Sequence, residues 1–197
     1  MSLKEDLIED ELNIYNENIK EIKINSEKIQ NKTLKDIDFT NTEIIESEFN
    51  NVYFDNVTFT KCDLSNTKFI DCGFNKVTID NSKMIGTNIF NSHFSEVTIK
   101  NSKCRYINLV DIKTKYFNIN DSDFTESSIY NLELRDFKTD HTNYQKSEIT
   151  NTSLKNINFS KCDITDIRID SKSIKGIQVN TLQALDLIRL FDINIIE

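Results

Sequence analysis

The sequence predicts an all-β fold, a solenoid in which each five-residue unit forms one side of a coil. The first observation is a large apolar residue at every fifth position: Leu34, Phe39, Ile44, Phe49, Phe54, Phe59, Leu64, Phe69 and Phe74. An α-helix repeats near 3.6 residues and a β-strand at 2, so neither element produces a period of five. We call these residues, and those that continue the spacing, the central row.

Two further rows keep the same phase. Two positions before each central residue, in the inner row, side chains are small or β-branched: Val52, Val57, Cys62, Thr67, Cys72, Val77, Ser82, Thr87, Ser92, Val97, Ser102 and Ile107. Such side chains suit a narrow interior beside larger neighbours. Two positions after it, in the corner row, asparagine and aspartate are frequent, and these residues favour tight turns. The corner row therefore marks where the coil bends.

Residues 1–33 are predicted to form an acidic N-terminal helix and cap. Within residues 2–20, apolar side chains fall at helical spacing: Leu3, Leu7, Leu12, Tyr15 and Ile19, followed by Ile22. Ser2 with Glu5 resembles a capping box.

Isoleucines in this segment also keep the phase of the central row: Ile14, Ile19, Ile24 and Ile29. Coils built on them would place Glu17, Glu27 and Lys32 in the inner row, and an unpaired inward charge costs several kcal/mol. We therefore expect regular coils to begin near Leu34, with a cap or an imperfect coil before them.

Residues 34–179 are predicted to form the solenoid, because the central row continues to Val179 with only two polar breaks, Thr114 and Thr139. Thr114 lies between two bulky inner-row residues, Ile112 and Phe117, and Thr139 follows Phe137. We interpret both threonines as repacking sites where inner-row side chains replace lost volume, and not as active-site residues.

The units Cys62-Asp63-Leu64-Ser65-Asn66 and Cys162-Asp163-Ile164-Thr165-Asp166 resemble the pentapeptide repeat family. Its unit is a small residue, Asp or Asn, Leu or Phe, and two polar residues. The resemblance implies a right-handed quadrilateral β-helix, with four units and hence 20 residues per coil.

A period of 20 residues is visible in the inner row independently of this resemblance. One column is apolar: Ile37, Val57, Val77, Val97, Phe117, Phe137, Ile157 and Ile177. Another column is small: Thr42, Cys62, Ser82, Ser102, Ser122, Thr142 and Cys162. Opposed bulky and small columns are how a constant cross-section is packed.

Residues 180–197 are predicted to form a C-terminal helix and tail, with Asn180 or Thr181 as the N-cap. One alternative is a cap that only covers the last coil, as repeat proteins require. The other is end-to-end dimerisation, since the pattern resembles the carboxy-terminal module of the quinolone-resistance group. We favour a homodimer, through Leu182, Leu185, Leu187, Ile188, Leu190 and Phe191.

Catalytic and metal-binding residues are not predicted, and no cofactor is expected. His93 and His141 fall on different sides of the coil, far apart in sequence, so we expect two surface histidines. All four cysteines fall in inward rows, and we expect reduced thiols: Cys62, Cys72, Cys104 and Cys162. No recognised nucleotide-binding, metal-binding or nucleophile motif is present. We therefore expect a protein that is not an enzyme.

The charge distribution excludes a strongly basic nucleic-acid-binding protein. The net charge is −8, and residues 1–50 carry 13 acidic and 6 basic side chains, which leaves 19 acidic and 18 basic side chains after them. The acidic N-terminus differs from a signal peptide, and no apolar run approaches the ~18 residues of a membrane span. We expect a cytoplasmic protein with neither a membrane nor a nucleic acid as direct partner.

One outward column is a candidate partner surface. Ile70, Phe90, Val110 and Tyr130 follow one another at spacing 20 and predict an exposed apolar stripe. The N-terminal helix folding back over this stripe is the alternative. A second column is basic: Lys115, Arg135, Lys155 and Lys175. We interpret it as a solvated face.

The resemblance to the quinolone-resistance group implies a rod that imitates duplex DNA, binds DNA gyrase or topoisomerase IV and relieves quinolone inhibition. Residues 51–197 carry a net charge of only −1, so imitation of DNA requires their acidic side chains to lie together on one face. The alternative is an interaction scaffold for an unrelated protein partner.

Overall fold

The computed structural model describes residues 13–191 and consists almost entirely of short parallel strands. The strands are β1 (Ile14–Tyr15), β2 (Asn18–Lys20), β3 (Lys28–Gln30), β4 (Thr33–Thr40), β5 (Glu48–Asn50), β6 (Tyr53–Thr60), β7 (Lys68–Ile70), β8 (Gly73–Asp80), β9 (Asn88–Phe90), β10 (His93–Lys100), β11 (Asn108–Val110), β12 (Lys113–Asn120), β13 (Ser128–Tyr130), β14 (Phe137–Asp140), β15 (Glu148–Thr150) and β16 (Arg168–Ile169). One α-helix, α1 (Thr181–Ile188), and a 3₁₀ turn (Arg189–Phe191) follow.

The strands stack into a parallel solenoid whose repeat is 20 residues. The first sheet has the order β1-β4-β6-β8-β10-β12-β14, with β2 beside β4, and the second runs from β3 to β16 through the odd-numbered strands between them. Register shows the period directly, because Phe54 lies opposite Phe74 and Phe49 lies opposite Phe69. The predicted β-solenoid with a C-terminal helix is confirmed.

Each coil has four sides, which we number along the chain by one central residue each: side 1 by Phe54, side 2 by Phe59, side 3 by Leu64 and side 4 by Phe69. The first sheet covers sides 1 and 2, because its long strands turn the corner between them. The second sheet forms side 4, and isolated parallel bridges such as that between Asp63 and Lys83 form side 3.

The corners coincide with the predicted corner row. There the backbone is left-handed at almost every coil, with φ of 51° at Asn41 and 57° at Asn66. Asparagine and aspartate tolerate this conformation better than other non-glycine residues do. Corner side chains also bond along the rod, as where Asn51 Nδ2 donates to Asn31 Oδ1 at 2.8 Å.

The central row forms the core, with rings stacked one coil above the next. The Phe39 and Phe59 ring centroids lie 4.8 Å apart with planes inclined by 5°, and the Phe54 and Phe74 centroids lie 4.9 Å apart. These spacings match the about 4.8 Å between hydrogen-bonded strands. The coil repeat thus sets both the backbone pairing and the ring stacking.

Inner-row hydroxyls are buried but satisfied by the backbone of the preceding coil. Ser47 Oγ donates to the Ile24 carbonyl at 2.8 Å, and Thr87 Oγ1 donates to the Leu64 carbonyl at 2.7 Å. Among the described residues, no buried side-chain nitrogen or oxygen lacks a hydrogen-bond partner. Small polar residues therefore carry little desolvation cost here.

The volume lost at Thr114 is filled by an inner-row side chain, as the sequence predicts. The aromatic stack on side 1 reaches Phe94, whose ring then contacts Phe117 in the inner row at 5.1 Å between centroids. The stack continues to Phe137 at 5.4 Å. An inner-row ring thus fills the volume that the Thr114 side chain leaves.

The structure corrects the predicted start of the solenoid. Ile14 pairs with Leu34 and Ile19 with Phe39, so a regular coil begins at Ile14 and not near Leu34. Residues 14–15 and 18–20 are strands where the sequence predicted helix. The remainder of that prediction, including Leu3, Leu7, Leu12 and the Ser2–Glu5 capping box, lies outside the described residues.

The objection to coils before Leu34 was the unpaired charge in the inner row, and the structure removes it. Glu17 is exposed and Glu27 is half-buried. Lys32 is only 3% exposed, but among the described residues no buried side-chain nitrogen or oxygen lacks a hydrogen-bond partner. The penalty for an unpaired buried charge therefore does not arise.

Helix α1 covers the C-terminal end of the tube. Asn180 is its N-cap and forms a reciprocal capping box with Gln183. Gln183 Nε2 also donates to the carbonyls of Phe159 at 2.9 Å and Cys162 at 2.7 Å. Leu187 is buried one turn later. The helix is therefore anchored to the last coils by hydrogen bonds as well as by apolar contact.

Candidate functional site

The predicted apolar stripe exists as one continuous column on side 4. Ile70, Phe90, Val110 and Tyr130 stand in register on β7, β9, β11 and β13. The first three are half-buried and Tyr130 is 46% exposed. Because they follow central residues on flat strands, their side chains project outward. No described N-terminal segment lies over the stripe as a helix, since residues 14–30 belong to the first coil.

Polar columns border the stripe on both sides. On the strand side, Asn108 Nδ2 donates to Asn88 Oδ1 at 2.7 Å. On the corner side, Asn131 Nδ2 donates to Asp111 Oδ1 at 2.5 Å. These bonds join consecutive coils, so the stripe and its polar borders are held rigid before any partner arrives.

Many charged side chains are paired from coil to coil, and the columns that contain these pairs carry both signs. Lysines and carboxylates at spacing 20 form ion pairs at 2.9–3.5 Å: Lys23–Glu43, Lys28–Glu48, Lys35–Asp55, Lys83–Asp63, Lys100–Asp80 and Lys113–Glu133. Hydrogen bonds from Asn75 and Lys35 lower the pKa of the Asp55 carboxyl. The acids on these columns are thus locally neutralised.

The predicted basic column lies on side 1 and is exposed: Lys115, Arg135, Lys155 and Lys175. Lys115 lies over the ring of Tyr116, 5.3 Å from its centroid. None of the four forms an ion pair with a carboxylate that the structure describes.

The six leucine, isoleucine and phenylalanine residues predicted for dimerisation divide into two groups. Leu187 is buried and Ile188 is half-buried against the last coils. Leu182 is 75% exposed, and Leu185 and Leu190 are each 42% exposed. Phe191 is the last residue of the 3₁₀ turn. The helix therefore caps the tube with one face and exposes leucines on another.

The cysteines and histidines occupy the predicted environments. All four cysteines are free and buried. Burial raises the pKa of the Cys72 thiol to about 12 and also raises the pKa of Cys62, Cys104 and Cys162, which keeps them protonated and unreactive. His93 and His141 are exposed. Within residues 13–191, no three His, Cys, Asp or Glu side chains are grouped to hold a metal ion.

Sequence reasoning missed an opening between two coils on sides 1 and 2. It has a volume of about 800 Å³ and lies between residues 134–140 on one lip and residues 153–161 on the other. We call it the slot. The one available signal was Thr139, which breaks the central row at this place and is half-buried. We interpreted Thr139 as a repacking site, yet its neighbour Phe137 is itself only half-buried and lines the slot.

Comparisons with known proteins agree with this geometry. Residues 32–109 and 52–129 match a family model described as "Pentapeptide repeat region". A comparison with curated protein sequences found no match. Among residues 13–191, no helix is both long enough and apolar enough to cross a membrane.

Two solved structures are similar in fold. One is a trypsin-treated variant of QnrB1, a plasmid-mediated fluoroquinolone resistance protein, with a TM-score of 0.54, 18% identity, and coverage of 94% of this chain and 99% of that trypsin-treated chain. The other is HetL from the cyanobacterium Nostoc, a protein involved in regulating heterocyst differentiation. It has a TM-score of 0.50, 9% identity, and coverage of 86% of this chain and 87% of HetL.

Proposed function

Since the chain belongs to the pentapeptide repeat family, we propose that it is a non-enzymatic rod that binds another protein through the apolar stripe on side 4. The observation that carries the proposal is the in-register column Ile70, Phe90, Val110 and Tyr130. Monomeric soluble proteins rarely expose contiguous apolar patches without a binding role.

The composition of the stripe supports a protein partner. Phenylalanine and tyrosine are enriched at the centres of protein interfaces, and a polar rim commonly surrounds them. The hydrogen-bonded pairs Asn88–Asn108 and Asp111–Asn131 supply such a rim. Because these borders are already hydrogen-bonded, binding costs little ordering entropy.

Site-specific photocrosslinking in cells tests this proposal. A benzoylphenylalanine replaces Phe90, and the matched control places it at Ile85, which is also half-buried but lies on side 3. We expect a discrete crosslinked protein from position 90 and not from position 85, and its loss when Ile70 and Val110 are changed to aspartate. Equal crosslinking from both positions, or none from position 90, rejects the stripe as the docking surface.

A type II topoisomerase, DNA gyrase or topoisomerase IV, is a second and more specific candidate partner. The supporting observation is the likeness in fold to QnrB1 along 94% of this chain. Eight coils at about 4.8 Å give a rod of roughly 38 Å. The paired lysines and carboxylates argue against a surface that imitates DNA through charge alone, so contact through the stripe is the more consistent mode.

A supercoiling assay separates this candidate from an unrelated partner. Purified gyrase is titrated with the protein, with and without a quinolone, beside a Phe90→Asp variant. Protection or inhibition that Phe90→Asp loses supports a topoisomerase bound by the stripe. No effect of the wild-type protein at micromolar concentration rejects the topoisomerase and leaves the scaffold proposal standing.

We also propose that two rods pair through the exposed leucines of α1 and the 3₁₀ turn. Leu182 and Leu185 of α1 and Leu190 of the 3₁₀ turn are exposed while Gln183 and Leu187 bind the tube, so capping and dimerisation use different faces. Exposed leucines at the end of a solenoid otherwise leave apolar surface in water.

A further inference from the structure

The slot is a break in an otherwise continuous sheet. One coil earlier, sides 1 and 2 are closed by backbone hydrogen bonds: Thr114 N donates to the Glu133 carbonyl at 2.9 Å, Tyr116 N to Arg135 at 3.1 Å and Asp121 N to Asp140 at 3.1 Å. The pattern repeats at every coil from β4 to β14.

The equivalent bonds are absent one coil later. By the 20-residue register, the amides of Leu134, Asp136 and His141 should donate to residues 153, 155 and 160. No backbone hydrogen bond joins residues 133–141 to residues 153–160, all of which the structure describes. β14 is the last strand of the first sheet, and residues 153–160 form no strand that pairs with it. Ser160 is satisfied in another way, because its amide donates to Asn158 Oδ1 and its carbonyl accepts from Asn180 Nδ2, each at 2.9 Å. Along side 1, the amides of Leu134 and Asp136 on one lip and the carbonyls of Ser153 and Lys155 on the other have no backbone partner.

The same two coils remain closed on sides 3 and 4. Tyr144 N donates to the Asp163 carbonyl at 2.7 Å, and Arg168 N donates to the Ser147 carbonyl at 2.8 Å. The coils thus separate along one edge of the tube only. Lys161 Nζ lies 3.4 Å from Asp140 Oδ2 at the end of the slot.

The residues that line the slot indicate the chemistry of the ligand that it can hold. Leu134, Phe137 and Ile157 form an apolar floor at the level of the core. Lys138 and Lys155 stand exposed on opposite lips, and neither pairs with any carboxylate in the described part of the chain. Asp136 also lines the slot and is exposed, and Asp140 pairs with Lys161, so the lining carries three lysines against two aspartates. The site thus offers backbone groups at both edges, an apolar floor and a small excess of positive charge at the rim.

We propose that the slot binds an extended acidic segment of a partner protein as an inserted strand. A strand presents amides and carbonyls to both edges and places alternate side chains on opposite faces. Apolar side chains at every second position would lie on Leu134, Phe137 and Ile157, and acidic side chains between them would meet Lys138 and Lys155. The slot lies on sides 1 and 2, away from the stripe on side 4. An experiment that rejects binding at one of these surfaces therefore leaves the proposal for the other surface unaffected.

Fluorescence anisotropy with defined peptides tests the proposal. The probe is a fluorescein-labelled eight-residue peptide that alternates valine with glutamate. We expect saturable binding, weakened at least tenfold by Lys138→Glu with Lys155→Glu, and unchanged by the matched variant Lys103→Glu. Lys103 is exposed and without an ion pair among the described residues, but lies on side 3. A peptide with lysine in place of glutamate should bind at least tenfold more weakly.

A separate control tests whether the peptide forms backbone hydrogen bonds with the lips of the slot. The same peptide, N-methylated at alternate residues, keeps its side chains but cannot donate to one lip, and it should lose binding. Unchanged affinity of the methylated peptide, equal effects of the two charge-reversal variants, or no binding of the parent peptide overturns the proposal. Peptide binding that falls as the protein concentration is raised shows that a second copy of the protein occupies the slot, which also overturns the proposal.

Disulfide trapping tests the opening without any peptide. Asn118 and Lys138 are in register on paired strands, so Asn118→Cys with Lys138→Cys should oxidise readily. Lys138→Cys with Asn158→Cys is the equivalent pair across the slot and should oxidise at least tenfold more slowly. Equal rates show that the lips are paired in solution and overturn the proposal.

Discussion

The hydroxyl of Tyr144 lies 2.9 Å from the hydroxyl of Thr139, so two consecutive central-row residues are joined by a hydrogen bond inside the tube. Tyr144 is 1% exposed, and burial raises the pKa of its phenol. Thr139 Oγ1 also lies 3.7 Å from Cys162 Sγ. The polar break at Thr139 is therefore a partner for the one tyrosine of the central row.

Replacing Thr139 with valine should destabilise the protein, because it leaves the buried Tyr144 hydroxyl without its partner. An unsatisfied buried hydroxyl costs about 1–3 kcal/mol. Urea denaturation followed by far-ultraviolet circular dichroism measures the change. Adding Tyr144→Phe to Thr139→Val should recover most of the loss, since both polar groups are then removed. A Thr139→Val variant as stable as wild type contradicts this role.

Replacing Phe54 with alanine should be among the most destabilising single changes. Its ring contacts Phe49, Phe59, Phe69 and Phe74 at centroid distances of 4.9–6.1 Å. Removing a fully buried phenylalanine costs about 3–5 kcal/mol. Urea denaturation again provides the measurement.

The matched control for this change is Phe90→Ala, which removes the same side chain from the half-buried stripe. We expect it to cost less than half as much as Phe54→Ala, because less apolar surface returns to water. Comparable losses would mean that the stripe contributes to the core.

Replacing Leu185 with aspartate should convert a dimer into a monomer. The side chain is 42% exposed on α1, so the change should leave the cap intact while placing charge in the proposed interface. Sedimentation equilibrium at several concentrations measures the mass. Ile70→Asp adds the same charge on side 4 and should leave the mass unchanged. A Leu185→Asp mass equal to that of wild type refutes dimerisation through this helix.

Acid should weaken the C-terminal coil through Asp170. Ser173 Oγ donates to Asp170 Oδ2 at 2.6 Å, and amides of Ser173, Asn151 and Lys172 also donate to this carboxylate. These bonds lower the pKa of Asp170. A lowered folded-state pKa means that the stabilisation is present above the unfolded value of about 3.9 and is lost as pH falls below it.

The measurement is the difference in urea midpoint between wild type and Asp170→Asn at pH 7 and at pH 3. Wild type should be the more stable protein at pH 7, and the difference should shrink at pH 3, because asparagine does not titrate. A difference that stays constant between the two pH values contradicts a role for the carboxylate charge.

Residue patterns predicted the regular part of this fold in detail. The central row identified the core residues from Leu34 to Phe159. The inner-row column that contains Phe117 and Phe137 identified the rings that fill the space beside Thr114. The register of the four stripe residues followed from the same phase. These predictions succeeded because in a tube the inward or outward direction of a side chain depends only on its place in the repeat.

The sequence by itself determined the phase, the 20-residue period and the four sides, since each inward position must fit the same cross-section. Only the tertiary structure decided that coils begin at Ile14, that Thr139 bonds Tyr144, and that the slot separates residues 134–140 from 153–161. The period runs unbroken through both lips of the slot. Whether neighbouring coils pair depends on backbone groups meeting in space, and backbone groups are the same in every residue type except proline.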